Sequence, residues 1–155
     1  MQPPSRAAQF EPLASESAGR WSGYVIRDTV YFPSFIGIEV EEVRRDYARM
    51  RLRYRPELRQ PMGVIHGGAL AALADTVVVP AVGSAYDDPR AFFTIDMQLR
   101  YLDAIVEEDA VAEGWVVRRG SSIVYCDAEV RSGSGTLAAT ANLTYKVSRP
   151  RREPG

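Results

Sequence analysis

The spacing of apolar and polar positions changes period twice along the chain. Between residues 47 and 54 it is two: Met50, Leu52 and Tyr54 fall on one face, Arg49, Arg51 and Arg53 on the other. That alternation predicts a strand with one wet face. Residues 36–44, with Ile36, Ile38, Val40 and Val43, predict the strand before it. After a loop bounded by Pro56 and Pro61, residues 67–85 are almost all Ala, Leu and Val. Apolar on nearly every side, they predict a buried helix. Pro80 follows a β-branched run and removes the hydrogen bond from residue 80 to residue 76, so a kink is expected there. Alternation returns at 91–101, where Phe93, Ile95, Met97, Leu99 and Tyr101 interleave with Thr94, Asp96, Gln98 and Arg100. Strands are further expected at 109–118, 122–131 and 136–148, separated by Arg119-Gly120-Ser121 and Ser132-Gly133-Ser134-Gly135. Links this short join antiparallel neighbours. The expected class is α+β: two strands, one long helix, then four strands, the sheet curling around the helix.

Composition narrows the picture. A chain of 155 residues is one domain by size, and 46% apolar content is enough for a core. Residues 1–20, rich in Pro, Ser, Ala and Gln, read as a mobile tail; 21–148 as the domain; 149–155 as a second tail, with Arg149, Arg151 and Arg152 in solvent. Residues 21–35 have mixed spacing and suit a short helix or an irregular covering segment. The net charge of −1 argues against bulk electrostatic binding of nucleic acid. With no apolar run of 18 residues and no signal-peptide core, no membrane association is expected and the cytoplasm is the default location. One cysteine, Cys126, excludes an intrachain disulfide, and one histidine, His66, excludes histidine-only metal sites, so neither metal nor cofactor is expected.

The chemistry concentrates around Gly63-Val64-Ile65-His66-Gly67-Gly68, followed by Asp75 inside the apolar helix. An unpaired carboxylate among buried apolar residues costs several kcal/mol, about that of any unsatisfied buried charge, so Asp75 is either paired or functional. A helix start offers free N–H groups and a positive dipole end, and Gly67 and Gly68 let a carbonyl approach closely. The bland alternatives are ordinary ones. Asp75 could pair with an arginine, the glycines could serve tight packing, and His66 could shape the loop.

This order of elements, with a glycine pair opening the central helix, resembles the hotdog fold. The motif Gly63-x-x-His66-Gly67-Gly68 with Asp75 is similar to the PaaI-like branch of acyl-CoA thioesterases, over roughly residues 35–147. The resemblance implies thioester hydrolysis, with Asp75 as the catalytic carboxylate and the Gly67 N–H polarising the thioester carbonyl. It implies a polar positioning residue fifteen places before the acid, which is Gln60, and a Ser or Thr position in the next strand, which is Thr94. PaaI-like members pair Asn with Asp, and the 4-hydroxybenzoyl-CoA type pairs Gln with Glu; this chain pairs Gln60 with Asp75. His66, Gly68, Arg118, Arg119, Gly120 and Ser121 are the candidates for contact with substrate and CoA phosphates. Tyr31, Phe32, Phe35, Met62 and Val82 are candidates for an apolar acyl pocket. Coenzyme A is then part of the substrate, and no separate cofactor is implied.

Gly67 and Asp75 are eight residues apart, about 12 Å along one helix. One carbonyl cannot touch both, so joint action requires two chains: at least a homodimer, with a tetramer also compatible. Asp75 could serve as general base or as nucleophile, and the residues do not choose. Two other classes compete, an acyl-CoA binding or sensing protein without turnover and a dehydratase acting on hydroxyacyl thioesters. His66 and Asp75, nine residues apart, are poorly spaced for the latter.

Overall fold

In a computed structural model, residues 5–25, 28–88 and 90–150 are described; of the expected tails 1–20 and 149–155, residues 1–4 and 151–155, with Arg151 and Arg152, lie outside them. The elements run α1 (Ser15–Ser22), α2 (Phe32–Phe35), β1 (Ile38–Arg44), β2 (Tyr47–Leu52), α3 (Gly67–Gly83), β3 (Phe92–Tyr101), β4 (Ala110–Arg119), β5 (Ile123–Ser132) and β6 (Leu137–Val147). The six strands form one antiparallel sheet in the order β1-β2-β4-β5-β6-β3. The expected class is therefore the observed one. The sheet curls around α3, whose Leu73, Ala74, Val77, Val78, Ala81 and Val82 are completely buried. Each buried Val or Leu contributes about 1.5–3 kcal/mol, so α3 is held by packing more than by helix propensity.

Gly114 on β4 sets how closely helix and sheet approach. A Cβ there would stand 2.8 Å from the Cγ1 atoms of Val77 and Val78 and 3.3 Å from the Val78 backbone nitrogen. Pro80 does not end α3, which continues to Gly83; Ser84 caps it, its N–H bonding the Pro80 carbonyl at 2.8 Å. The helix is thus two residues shorter than expected.

Two expectations from alternation fail for tertiary reasons. The Arg49 side of β2 is not wet: Arg49 is 6% exposed and bonds Glu41 and Glu113. The cover is the N-terminal segment, which the sequence reads as a tail. Arg6 binds Glu113 through its N–H and Glu129 through its guanidinium, and lies over the Trp115 ring, while Phe10 stacks on Tyr47. A short 3-10 turn, Ala7–Gln9, and helix α1 also fall within this segment.

On β3 the ladder to β6 shifts register between Thr94 and Asp96. The bulge changes the face presented by the residues before it. Met97 and Leu99 pack against the core, as does Phe92, whereas Phe93 and Ile95 are 57% and 55% exposed. Thr94, a polar residue of the expected solvent face, is thereby turned toward α3. Strand β3 is also an edge strand, with no neighbour on its outer side among the described residues.

Candidate active site

Helix α3 carries two polar clusters at different heights. The first is its N-terminus. His66 is the N-cap residue, extended at φ −61° and ψ 132°, and its Nδ1 accepts from the Gly68 N–H at 2.8 Å. That contact fixes the imidazole tautomer with the proton on Nε2. It also occupies Gly68, which the sequence suggests as a substrate contact, whereas the Gly67 N–H has no acceptor among the described residues. His66 thus shapes the helix start. The Tyr101 hydroxyl donates to the Gly67 carbonyl at 2.7 Å, and its ring lies 3.0 Å from where a Gly67 Cβ would be. A Cβ at 67 would make that ring give by a few tenths of an ångström.

Gln60 belongs to the same cluster. It opens a turn in which Gly63 adopts φ +89°, a left-handed conformation that favours glycine, and Gly63 N–H bonds the Gln60 carbonyl at 2.9 Å. The Gln60 Oε1 accepts from the Met62 N–H. Gln60, Gly67, Leu70 and Tyr101 line one open cavity of about 370 Å³.

Asp75 forms the second cluster, about two helical turns further along. It is half-buried, and no ion pair to it exists among the described residues, so the arginine-paired alternative fails. Its Oδ1 accepts two hydrogen bonds, from Thr94 Oγ1 at 2.8 Å and from the Tyr145 hydroxyl at 2.6 Å; Oδ2 accepts none among the described residues. The Tyr145 hydroxyl is also 2.8 Å from the Asp75 carbonyl oxygen. Thr94 and Tyr145 are direct partners in the β3–β6 ladder, which places both on the face toward α3. Burial, and then the charge of Asp75, push the Tyr145 hydroxyl far above its ordinary value, so it remains a donor. Tyr145 is absent from the sequence-based candidates. The signal was there: alternation points 143, 145 and 147 inward, and a buried tyrosine hydroxyl needs a partner.

The remaining candidates separate from these clusters within one chain. Arg119 bonds Asp46 and the Val82 carbonyl and lies 5.0 Å from the Tyr86 ring centre, at the far end of α3. Both bonds are made by Nη2 alone; Nε and Nη1 are buried with no hydrogen-bond partner among the described residues. Arg118, Gly120 and Ser121 are exposed beside it; Gly120 N–H closes the β4–β5 turn on the Ile123 carbonyl. Val82 is fully buried, and Met62 is 84% exposed. Tyr31 and Phe32 line a cavity of about 420 Å³ under α2. A different cavity, about 470 Å³, lies toward the C-terminal end of α3; Trp21, Tyr24, Val79, Gly83, Tyr86 and Phe92 line it together with the charged Arg20, Asp88 and Arg90. Cys126 is buried, and that burial pushes its thiol up to about 12, which removes it as a nucleophile. No group of three or more His, Cys, Asp or Glu among the described residues is placed to hold a metal ion. No helix among them is long and apolar enough to cross a membrane.

A curled six-stranded antiparallel sheet wrapped on one long helix, with a glycine-opened N-terminus and a mid-helix carboxylate, defines a hotdog-fold protein of the thioesterase kind. The chain belongs to the Thioesterase superfamily, whose family model it matches over residues 62–139. A relative from Halobacterium salinarum that carries an esterase name is 34% identical over 127 residues, covering 75% of this chain and 83% of its own. Among solved structures, a thioesterase from Haemophilus influenzae superposes with TM-score 0.79 at 18% identity, over 94% of this chain and 99% of that one. The E. coli PaaI protein from the phenylacetic acid degradation operon gives TM-score 0.77 at 17% identity, over 88% and 96%. These two likenesses are of fold.

Proposed function

We propose that the protein hydrolyses acyl-CoA thioesters to the free acid and CoA, at a site shared by two chains. One observation carries the reading. Asp75 projects a carboxylate whose Oδ1 is held by two hydroxyls while Oδ2 has no hydrogen-bond partner among the described residues. That arrangement fixes the side chain by one oxygen and leaves the other able to meet water or a thioester carbonyl. Family membership supplies the reaction class, thioester cleavage.

In the proposed sequence, Asp75 Oδ2 takes a proton from water, and the water oxygen attacks the thioester carbonyl carbon. The resulting oxyanion is met by the free Gly67 N–H at the positive end of a helix. The C–S bond then breaks and CoA leaves as its thiolate or, once protonated, its thiol. Direct attack by Oδ2, giving an anhydride that water opens, uses the same residues. The two groups stand about 12 Å apart on one helix, so the acid and the N–H at a given carbonyl come from different chains. The free edge of β3, with exposed Phe93, Ile95 and Tyr101, supports pairing with a second copy. The cavity of Trp21, Tyr24, Val79, Tyr86 and Phe92 is the proposed home of the acyl group. Gln60, beside Gly67, is proposed to place the substrate or the water, and the exposed Arg118 to meet CoA phosphate.

The test is incubation with a panel of aryl, short, medium and long acyl-CoAs, following free thiol. Turnover of at least one is expected. Saturable binding without thiol release across the panel would replace the enzyme with a binding protein.

A further inference from the structure

We infer that Tyr145 is a positioning residue for Asp75: together with Thr94 it fixes the carboxylate by one oxygen and so presents the other to the reacting water or carbonyl. The inference rests on the proposed thioesterase reading and adds to it a residue on the last strand, seventy positions from the acid.

The geometry leaves little freedom. Tyr145 is 1% exposed, between Leu143 and Val147 on the inner face of β6. Its one hydroxyl proton is shared between Asp75 Oδ1, at 2.6 Å, and the Asp75 backbone oxygen, at 2.8 Å. The first contact sets the rotation of the side chain and the second ties it to the helix turn that carries it. Thr94 reaches the same Oδ1 from the neighbouring strand. Two donors on Oδ1 bar it from carrying a proton or attacking, and so assign the reaction to Oδ2. A simple packing role would need only the ring. A phenylalanine would fill the same space and leave the strand alternation intact. The other groups nearby do not substitute for it. Cys126 comes from β5 and holds its proton, and Asp96, the next acid on β3, pairs with Thr144 and lines a separate cavity with Tyr125 and Asn142.

The experiment compares wild type, Tyr145→Phe, Thr94→Val and Asp75→Asn, alone and combined, with the best acyl-CoA of the panel. Rates are taken well below each variant's melting temperature and normalised to folded protein. Tyr145→Phe is expected to lower kcat by about 10- to 100-fold with KM within about twofold, the cost of misplacing a reacting group. Thr94→Val is expected to act the same way, and the pair together less than multiplicatively, since both hold one oxygen. In the Asp75→Asn background, Tyr145→Phe should change the residual rate by less than about twofold. If Tyr145→Phe loses stability but keeps its kcat per folded molecule, the residue is structural and the inference is wrong. An equal loss with and without Asp75 overturns it as well. Should wild type release no thiol from any substrate, the thioesterase reading itself fails, a result separate from either.

Discussion

Asp75 and Gln60 differ in what they are asked to do, and single substitutions should separate them. Asp75→Asn keeps the shape and the two donors to Oδ1 but removes the proposed base or nucleophile. It is expected to lower kcat by about 10²–10⁴-fold, the usual worth of such a group, with an unchanged circular dichroism spectrum. Full activity in a folded variant would remove Asp75 from the mechanism. Gln60 sits in the Gly63 turn and bonds the Met62 N–H as well as facing the Gly67 cavity. Gln60→Ala should therefore cost less than Asp75→Asn, about 10-fold, and raise KM as well as lowering kcat. Single residues near the site were legible to different degrees. Asp75 and Gly67 stood out because a lone acid and a glycine pair are anomalous in an apolar helix. Tyr145 did not, because one tyrosine in an alternating strand has nothing anomalous about it until the register shows what it faces.

At the scale of elements, the contact between α3 and β4 decides how well the site is held. Gly114→Ala would drive a Cβ to 2.8 Å from Val77 and Val78 and toward the helix backbone. Overpacking of this kind costs about 1–3 kcal/mol, a fall in melting temperature of about 2–12 °C for a domain of this size. Differential scanning calorimetry would measure it, and an unchanged melting temperature would mean that the helix can move away freely. The N-terminal segment makes a second element-scale prediction. Burial raises the Glu129 carboxyl, but hydrogen bonds from Arg6 and Arg131 outweigh it and hold Glu129 below its ordinary value. A carboxylate lowered on folding contributes stability above its unfolded value, near 4.3, and loses it as pH falls through the folded one. Urea midpoints between pH 6 and pH 3.5 should thus fall less for Arg6→Ala than for wild type. Equal falls would show that Arg6 does not hold Glu129 in solution.

For the whole molecule, the proposed sharing of a site by two chains can be tested by complementation. Gly67→Val pushes a side chain into the Tyr101 ring, already 3.0 Å from a bare Cβ, and should silence every site that uses that N–H. Asp75→Asn silences the sites that use that acid. Mixed in one dimer, the two chains leave one site with both groups intact and one with neither. Random pairing should restore about a quarter of wild-type activity, half of the molecules being heterodimers with one live site of two. Size and circular dichroism must first show that Gly67→Val folds and pairs. Verified heterodimers without activity would mean that the two groups do not act on one substrate.

The sequence by itself determined the class of fold and half of the candidate chemistry. Period-two and all-apolar stretches are local, and they place four late strands and one buried helix without knowledge of any contact. The glycine pair and the acid are likewise local anomalies. Tertiary structure decided the rest. A bulge at Thr94/Asp96 switched the faces of the β3 residues before it and brought Thr94 to Asp75. Strand register brought Tyr145 across seventy residues to the same oxygen. The packing of Arg6 and Phe10 over β2, β4 and β5 accompanies the burial of Arg49 on a face the alternation left wet, while Arg53 on the same face stays exposed. Each depends on which strand lies beside which and on what covers them. Alternation fixes only that two faces exist, because it is blind to the neighbour.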